Sequence, residues 1–340
     1  MGKKVSIKDI ANQLNISITT VSFVINGKAK EKNISQQVTK QVLDLVAELN
    51  YHPSTSAQNL RSGKTKILGF LVDDISEPFF SGLARFIDEK ASEEGYKIIF
   101  SSTQNSTKKA IELLQIFEDR NVDGYIIALP DGLEDKVKTL IETKVPVVLF
   151  DRYVTSVETD YVIIDNKNST FKATEHLIGN GYNNIGFVTI DTEQQQMTDR
   201  LEGYMDAVSA HNLRSYVKKI VYTDSAASIQ EITKFLKQQT ELDAVIFAAN
   251  YICMDGLRAF RQMGLRIWED MAVVSFDDFE LLEFCSTPVT AISQPIQGIA
   301  TNIMKILLEK LNADDTAVEN KQIIVPASLI IRGSSLRKNK

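Results

Sequence analysis

Apolar positions recur at helical spacing through the first fifty residues and at strand spacing after residue 66, and this change of period divides the chain. Ile7, Ile10, Ala11 and Leu14 fall at i, i+3, i+4 and i+7, one stripe of a helix. Ser6 stands before it as an N-cap, and Asp9 lies in its first turn, where the helix dipole favours negative charge. Asn15 breaks the stripe, and Ser17 opens a second helix, Ile18 to Ile25, with Val21, Val24 and Ile25 at buried spacing. Only Leu14, Asn15 and Ile16 separate the two, so the spacing predicts a tight helix–turn–helix. Asn26-Gly27 ends the second helix with a residue able to take positive φ. Ser35 caps a third, with Val38, Val42, Leu45, Val46 and Leu49 on its stripe. Three short helices sharing one small core are expected.

From Ile67 onward, short β-rich runs alternate with helical patterns. The runs are Ile67–Val72, Lys97–Phe100, Gly124–Ala128 and Val145–Phe150, then Asn184–Ile190, Lys218–Tyr222, Ala244–Phe247 and Met271–Phe276, with a late strand at Gln322–Val325. Strands alternating with helices of ten to fifteen residues imply βαβ units, so two series predict two lobes, each a doubly wound parallel sheet. Between head and body, Pro53 is followed by Ser54–Lys64, one or two helical turns with little apolar surface, too short to be stable alone in water. Gly63-Lys64-Thr65 looks like the end of a phosphate loop, but Gln58 stands where the required glycine belongs and no strand precedes it.

Composition narrows the class. With 340 residues, 44% apolar and 24% charged, the chain reads as an ordinary globular protein, not a fibrous or disordered one. No run approaches about 18 uncharged apolar residues, so no membrane span is expected. Met1–Asp9 carries charges but no apolar segment, so no secretory signal is expected. Cys253 and Cys285 are far apart and make neither a disulfide framework nor a zinc cluster. A reduced, cytoplasmic protein without metal or cofactor is the expectation. The net charge of −6 is unevenly spread: residues 1–66 hold ten basic and four acidic side chains, leaving 28 basic against 40 acidic for the rest. A basic head on an acidic body suggests that only the head meets a polyanion, although an uneven solvated surface would look the same. The second helix turns Ser17, Thr19, Thr20 and Ser22 outward, short hydroxyls without an acid, which suits a helix in a major groove. A helical hairpin used for protein contacts is the plainer alternative.

Longer motifs choose between them. Val5-Ser6-Ile7-Lys8-Asp9-Ile10-Ala11, Thr20-Val21-Ser22, Asn26-Gly27 and Leu49-Asn50-Tyr51-His52-Pro53 resemble, in order, the head of the lac repressor (LacI/GalR) family of bacterial transcription regulators. The two strand series match that family's periplasmic-binding-protein-like core. The resemblance implies a helix–turn–helix DNA-binding domain over 1–52, a hinge helix and linker over 53–66, and an effector-binding and dimerisation core over 67–335, followed by a basic tail at 336–340. In that core an N-lobe would take about 67–163 and 294–324, and a C-lobe about 164–293 and 325–335, the chain crossing near 161–166, 290–296 and 324–328. It further implies a sequence-specific, nucleoid-associated repressor that binds double-stranded operator DNA as a homodimer, a tetramer also being compatible, under control of a small-molecule effector.

Residue by residue, the resemblance places Ser6, Ser17, Ile18, Thr19, Thr20, Ser22, Asn26 and Tyr51 at the DNA. The hinge adds Ser56, Ala57, Asn59 and Leu60, where paired hinges would wedge Leu60 into a base step; packing of Leu60 on the body is the alternative. Two departures affect the reading of DNA. Phe23 stands where the family usually has Arg, which removes a reader of guanine, and Ile18 and Thr19 favour apolar contact with thymine methyls. The segment Asn26 to Ile34 is about three residues longer than usual and brings Lys28, Lys30 and Lys32, expected either to meet phosphate or to remain a solvated loop.

Ligands of open parallel sheets bind at the carboxyl ends of strands. There the resemblance assigns Asp74, Phe79, Phe80, Asp151, Arg152, Arg200, Asn250, Phe276, Asp277 and Gln294 to the effector. Carboxylates, an amide and an arginine beside a phenylalanine suit a carbohydrate, whose hydroxyls bond in pairs and whose ring face needs cover. Arg200 and Asp277 could instead be an ion pair bracing the cleft. Glu77, Tyr251 and the stretch Thr223–Ser228 depart from the family pattern and leave open a non-sugar metabolite or a protein cofactor. An enzyme is the competing class: His52, His176 and His211 are the only histidines, and no H-E-x-x-H, G-x-S-x-G or glycine-rich nucleotide fingerprint occurs. A transport-type sugar carrier is the other, against which stand the basic head and the missing signal segment.

Overall fold

The structure, a computed structural model, describes residues 5–51, 64–313 and 319–337. The chain forms two compact units, Met1–Thr65 and Lys66–Lys340.

In the first unit the capping serines decide where helices begin. Ser6 accepts the Asp9 N–H while Asp9 accepts the Ser6 N–H, a reciprocal box that starts α1 (Ile7–Leu14). Asn15 closes α1 at φ 53°, and Ser17 opens α2 (Ile18–Ile25) by accepting the Thr20 N–H. Gly27, at φ 71°, turns the chain away, and Ser35 opens α3 (Gln36–Glu48). Ile10, Ala11, Val21, Val24, Val42 and Leu45 are buried together, with Leu14, Ile25, Val38, Val46 and Leu49 packed around them. The lysine-rich segment after α2 is no open loop. Ala29 packs on this small core, and the Ile34 N–H donates to the Ala29 carbonyl.

The second unit holds two six-stranded sheets. The first comprises β1 (Ile67–Val72), β2 (Lys97–Ser102), β3 (Gly124–Ala128), β4 (Val147–Phe150), β5 (Asp160–Ile164) and β11 (Gln322–Val325), in the order β11-β5-β4-β3-β1-β2. The second comprises β6 (Ile185–Ile190), β7 (Tyr216–Ile220), β8 (Ala244–Phe247), β9 (Ala272–Phe276), β10 (Thr290–Ser293) and β12 (Ser328–Ile330), in the order β12-β10-β9-β8-β6-β7. All pairings are parallel except that of β12 with β10, an antiparallel edge on an otherwise parallel sheet. The helices are α4 (Pro78–Glu93), α5 (Thr107–Asp119), α6 (Glu134–Glu142), α7 (Asn166–Gly179), α8 (Gln195–Ala210), α9 (Ser225–Gln238), α10 (Asn250–Met263) and α11 (Ile296–Asn312). The chain passes between sheets after β5, after β10 and between β11 and β12.

Central strands are predominantly apolar, as sheets covered on both faces require; Leu68, Phe70, Ile126, Val148, Phe187, Ile246 and Val274 are fully buried. Three expected strands shift at their ends for identifiable reasons. The fourth strand starts at Val147 because Pro146 has no N–H, though its carbonyl still accepts from Tyr125. The strand expected at 218–222 lies at 216–220, its start fixed by the Tyr216 N–H donating to the Tyr204 hydroxyl at 2.8 Å. Strand 97–100 runs on to Ser102, paired with Val72. Short β5, β10 and β12 fall at the crossings, where no run of the expected length marks them as strands. Among the described residues, no helix is long and apolar enough to cross a membrane.

Candidate functional site

In the head, several side chains expected at DNA are already at work within it. Ser6 Oγ bonds Asp9 at 2.6 Å, and Ser17 Oγ lies 2.8 Å from Thr20 Oγ1. The Asn26 amide donates to the Ser22 carbonyl at 2.8 Å. Tyr51 is half-buried against the small core, and burial raises its hydroxyl pKa. Ile18 and Thr19 stay exposed at the start of α2, as do Lys28, Lys30 and Lys32 beyond its end. The Lys32 ammonium lies 5.6 Å over the Phe23 ring and 3.1 Å from Glu31. The hinge positions Ser56, Ala57, Asn59 and Leu60 lie outside the described residues, as do residues 338–340 of the basic tail.

In the second unit, the carboxyl ends of both sheets border one cavity of about 350 Å³. Two aspartates mark it symmetrically. Asp151 follows β4 and Asp277 follows β9, and both take positive φ, 64° and 71°. Aspartate tolerates this left-handed turn better than most residues, and here it directs both carboxylates into the cavity. Asp277 accepts from the Gln294 amide at 2.6 Å and from the Asn250 N–H at 3.3 Å.

Both arginines of the site donate to protein acceptors, while Arg152 Nε is buried without a hydrogen-bond partner among the described residues. Arg200 on α8 is buried; Nε donates to Asn166 and Nη1 to the Ala248 carbonyl, both at 2.8 Å, and the guanidinium lies 3.6 Å over the Phe276 ring. Burial lowers its pKa, while Asp277 and Asp151 oppose that effect. Arg152 bonds Asp73, the Leu129 carbonyl and Asn105, and lies 3.4 Å from Asp151. Burial works against its charge, but Asp73 and Asp151 more than offset that and raise its pKa. Burial also raises Asp151 and Glu77. Glu77 precedes α4 without capping it; its carboxylate reaches across to the other lobe and accepts from the Asn250 amide at 2.6 Å. Phe79, Phe80, Tyr222 and Tyr251 supply ring surface, the two tyrosines meeting edge to face at 4.9 Å.

Two expected effector residues are elsewhere. Asp74 does not line the cavity; it accepts from the N–H and hydroxyl of Ser76, and its neighbour Asp73 faces the cavity instead. Phe276 is fully buried beneath Arg200 and fixes that guanidinium without lining the cavity itself. Phe79, Phe80, Asp151, Arg152, Arg200, Asn250, Asp277 and Gln294 all line it. So do Gln104, Asn105, Gln194, Gln196, Met197 and Tyr222, which the sequence did not single out. Of these, Gln196 and Met197 had a signal: they sit one turn before Arg200 on the same helix. Asp73 Oδ1 and Gln196 Oε1 are buried acceptors without a partner among the described residues, and both belong to residues that line the cavity.

Asp73 also gives the site a pH dependence. Burial, opposed by Arg152, pushes its pKa from 3.8 up to about 6. An acid with a raised folded pKa binds its proton more readily when native, so this group's contribution to stability falls as pH climbs from near 3.8 to about 6, then levels. Asp73→Asn is expected to flatten that decline, read as urea midpoints at pH 4 and 6.5. An identical decline in the variant would show that Asp73 does not titrate there.

Two family models match: bacterial regulatory proteins of the lacI family over residues 6–54, and a periplasmic binding protein-like domain over 174–335. A relative described as the HTH-type transcriptional repressor PurR of Aliivibrio salmonicida is 31% identical over 90% of this chain and 92% of its own. The HTH-type transcriptional regulator KdgR of Bacillus subtilis is 30% identical over 97% of each. Among solved structures, the lac repressor dimer bound to operator and the anti-inducer ONPF superposes with a TM-score of 0.84 at 22% identity, covering 98% of this chain and 100% of that one. A LacI family transcriptional regulator from Enterococcus faecium with bound ribose gives 0.71 at 22%, covering 80% and 99%.

Proposed function

This chain belongs to the lacI family of bacterial regulatory proteins, and from that premise we propose that it is a cytoplasmic repressor of transcription whose operator affinity is set by a carbohydrate bound between its two lobes. It performs no catalytic step. Two copies pair through residues 67–335, so that two heads, residues 1–52, and two linkers, 53–66, address one near-palindromic operator. The observation that carries the ligand class is the cavity's charge. Asp73, Glu77, Asp151 and Asp277 face Arg152 and Arg200, and both guanidiniums are held by protein acceptors. An anion entering there meets four acidic side chains against two guanidiniums. A neutral polyol instead donates its hydroxyls to them and lays a ring face on Phe79 or Tyr222. The cavity, at about 350 Å³, has room for a small sugar.

Ligand bound to Asp277 and Asn250 competes with the Glu77–Asn250 hydrogen bond that joins the lobes. A ligand shifts operator affinity only by the difference in its affinity for the two lobe arrangements. Thermal-shift screening against neutral sugars, sugar phosphates and nucleobases, with and without operator DNA, tests this reading. Stabilisation by a neutral sugar supports it. Stabilisation by sugar phosphates or nucleobases alone contradicts it.

Lys28, Lys30 and Lys32 serve the same function at the DNA backbone. Replacing all three with Ala is expected to flatten the slope of log affinity against log salt, by about 0.9 for each phosphate that a lysine had neutralised. An unchanged slope would leave the three as solvated charges.

A further inference from the structure

The four carboxylates of the cavity are unequally served by its two arginines. Arg152 pairs with Asp73 and Asp151, and the positive charge of Arg200 interacts with Asp151 and Asp277. Among the described residues no ion pair reaches Glu77 or Asp277. Their side-chain partners are neutral amides, Asn250 for Glu77 and Gln294 for Asp277, each at 2.6 Å. The charged groups that act on Glu77 are Asp74 and Asp277, both acidic, so burial and then repulsion hold its carboxyl above the ordinary range. Two rings stand at the same end of the cavity. Tyr222 and Tyr251 meet edge to face at 4.9 Å and line the cavity together with Glu77. Burial raises both hydroxyl pKa values, and the charge of Glu77 adds to the rise.

A sugar hydroxyl donates one hydrogen bond to a carboxylate and leaves its charge in place. A primary ammonium brings three donors and a full charge, bonds a carboxylate more strongly than a hydroxyl does, and is attracted to a tyrosine face. A bare metal ion is poorly served here, since among the described residues no group of three His, Cys, Asp or Glu side chains is placed to hold one. We propose that the ligand is an amino sugar whose ammonium is seated by Glu77, with Asp277 and the Tyr222–Tyr251 pair around it. Glu77 is then the specificity-determining residue, selecting an amine over a hydroxyl at one position of the ring. The proposal rests on the carbohydrate reading above and names the substituent that the carbohydrate carries.

The experiment uses the full-length protein and calorimetric titration with three pairs: glucose and glucosamine, galactose and galactosamine, mannose and mannosamine. Within each pair one ammonium replaces one hydroxyl. At least one amino sugar is expected to bind about tenfold tighter than its neutral parent. Its N-acetyl form, which is larger but uncharged, is expected to lose that advantage. Glu77→Gln keeps an acceptor for the Asn250 amide and removes the charge, so the ratio of the two affinities is expected to fall to about one. Tyr222→Leu, at an exposed position, is expected to lower the ratio part of the way. Neutral sugars that bind as tightly as their amino partners, or more tightly, overturn the proposal and leave the carbohydrate reading intact. A preference for the amine that survives Glu77→Gln undiminished overturns the role of Glu77. Binding by no sugar of the panel overturns this proposal and the carbohydrate reading together.

Discussion

Replacing Arg200 with Ala is expected to abolish the ligand response of operator binding and to lower stability by about 3 kcal/mol. The residue ties three elements together: α8, which carries it, Asn166 at the start of α7, and the Ala248 carbonyl just after β8. Its guanidinium also covers the Phe276 ring. Removing it leaves two buried acceptors short of a donor and leaves Arg152 as the remaining arginine that opposes the raised pKa of buried Asp151. Unpaired buried groups are more costly than the pair was worth. Arg200→Lys keeps the charge but cannot reach two acceptors in different directions while lying flat on a ring, so it should recover only part of the stability. Urea unfolding gives the stability loss, and sugar titration below the variant's melting range gives the ligand response. An alanine variant that still responds to sugar would place the ligand elsewhere.

Gly203→Ala is expected to be comparably destabilising, by about 3 kcal/mol or more. A Cβ at that position would lie 2.1 Å from the Lys167 carbonyl oxygen and 3.0 Å from the Phe171 nitrogen. Both obstacles are backbone of α7, so no side chain can swing aside and α8 itself must move. Arg200 lies one turn earlier on α8 and moves with it, so ligand affinity should fall together with stability. Gly179 is the control. It ends α7 with open space around a new Cβ, and Gly179→Ala should change stability by less than about 0.5 kcal/mol. Equal effects at the two glycines would remove close packing of α7 against α8 as the cause.

The contrast between these glycines bears on what the sequence reveals. The head was legible because its signals are local: a capping serine before each helix and apolar residues at fixed spacing. The βαβ alternation was legible for the same reason. The cavity depends on side-chain direction at strand ends, which periodicity does not encode. In the pair Asp73-Asp74 either carboxylate could face inward, and the exit of the chain from β1 selects Asp73. Asp151 and Asp277 were placed by resemblance, and their shared positive φ appears only in three dimensions. Tyr222 was hidden because its run continues a plausible strand. The strand ends at Ile220, which frees Tyr222 for the cavity, where Thr223–Ser228 had looked bare of aromatics. The crossing of Glu77 to Asn250 joins residues 173 positions apart and has no local signal at all.

The central claim is that ligand and operator are coupled through one chain. Coupling of this kind is reciprocal: whatever factor the ligand imposes on operator affinity, operator must impose on ligand affinity. The decisive measurement is therefore the dissociation constant of the stabilising sugar, by calorimetry, for free protein and for protein saturated with its enriched duplex. The account predicts a difference of about fivefold or more between the two, equal to the factor by which sugar shifts the duplex affinity. The same sugar affinity in both states would contradict it, however tightly each partner binds alone.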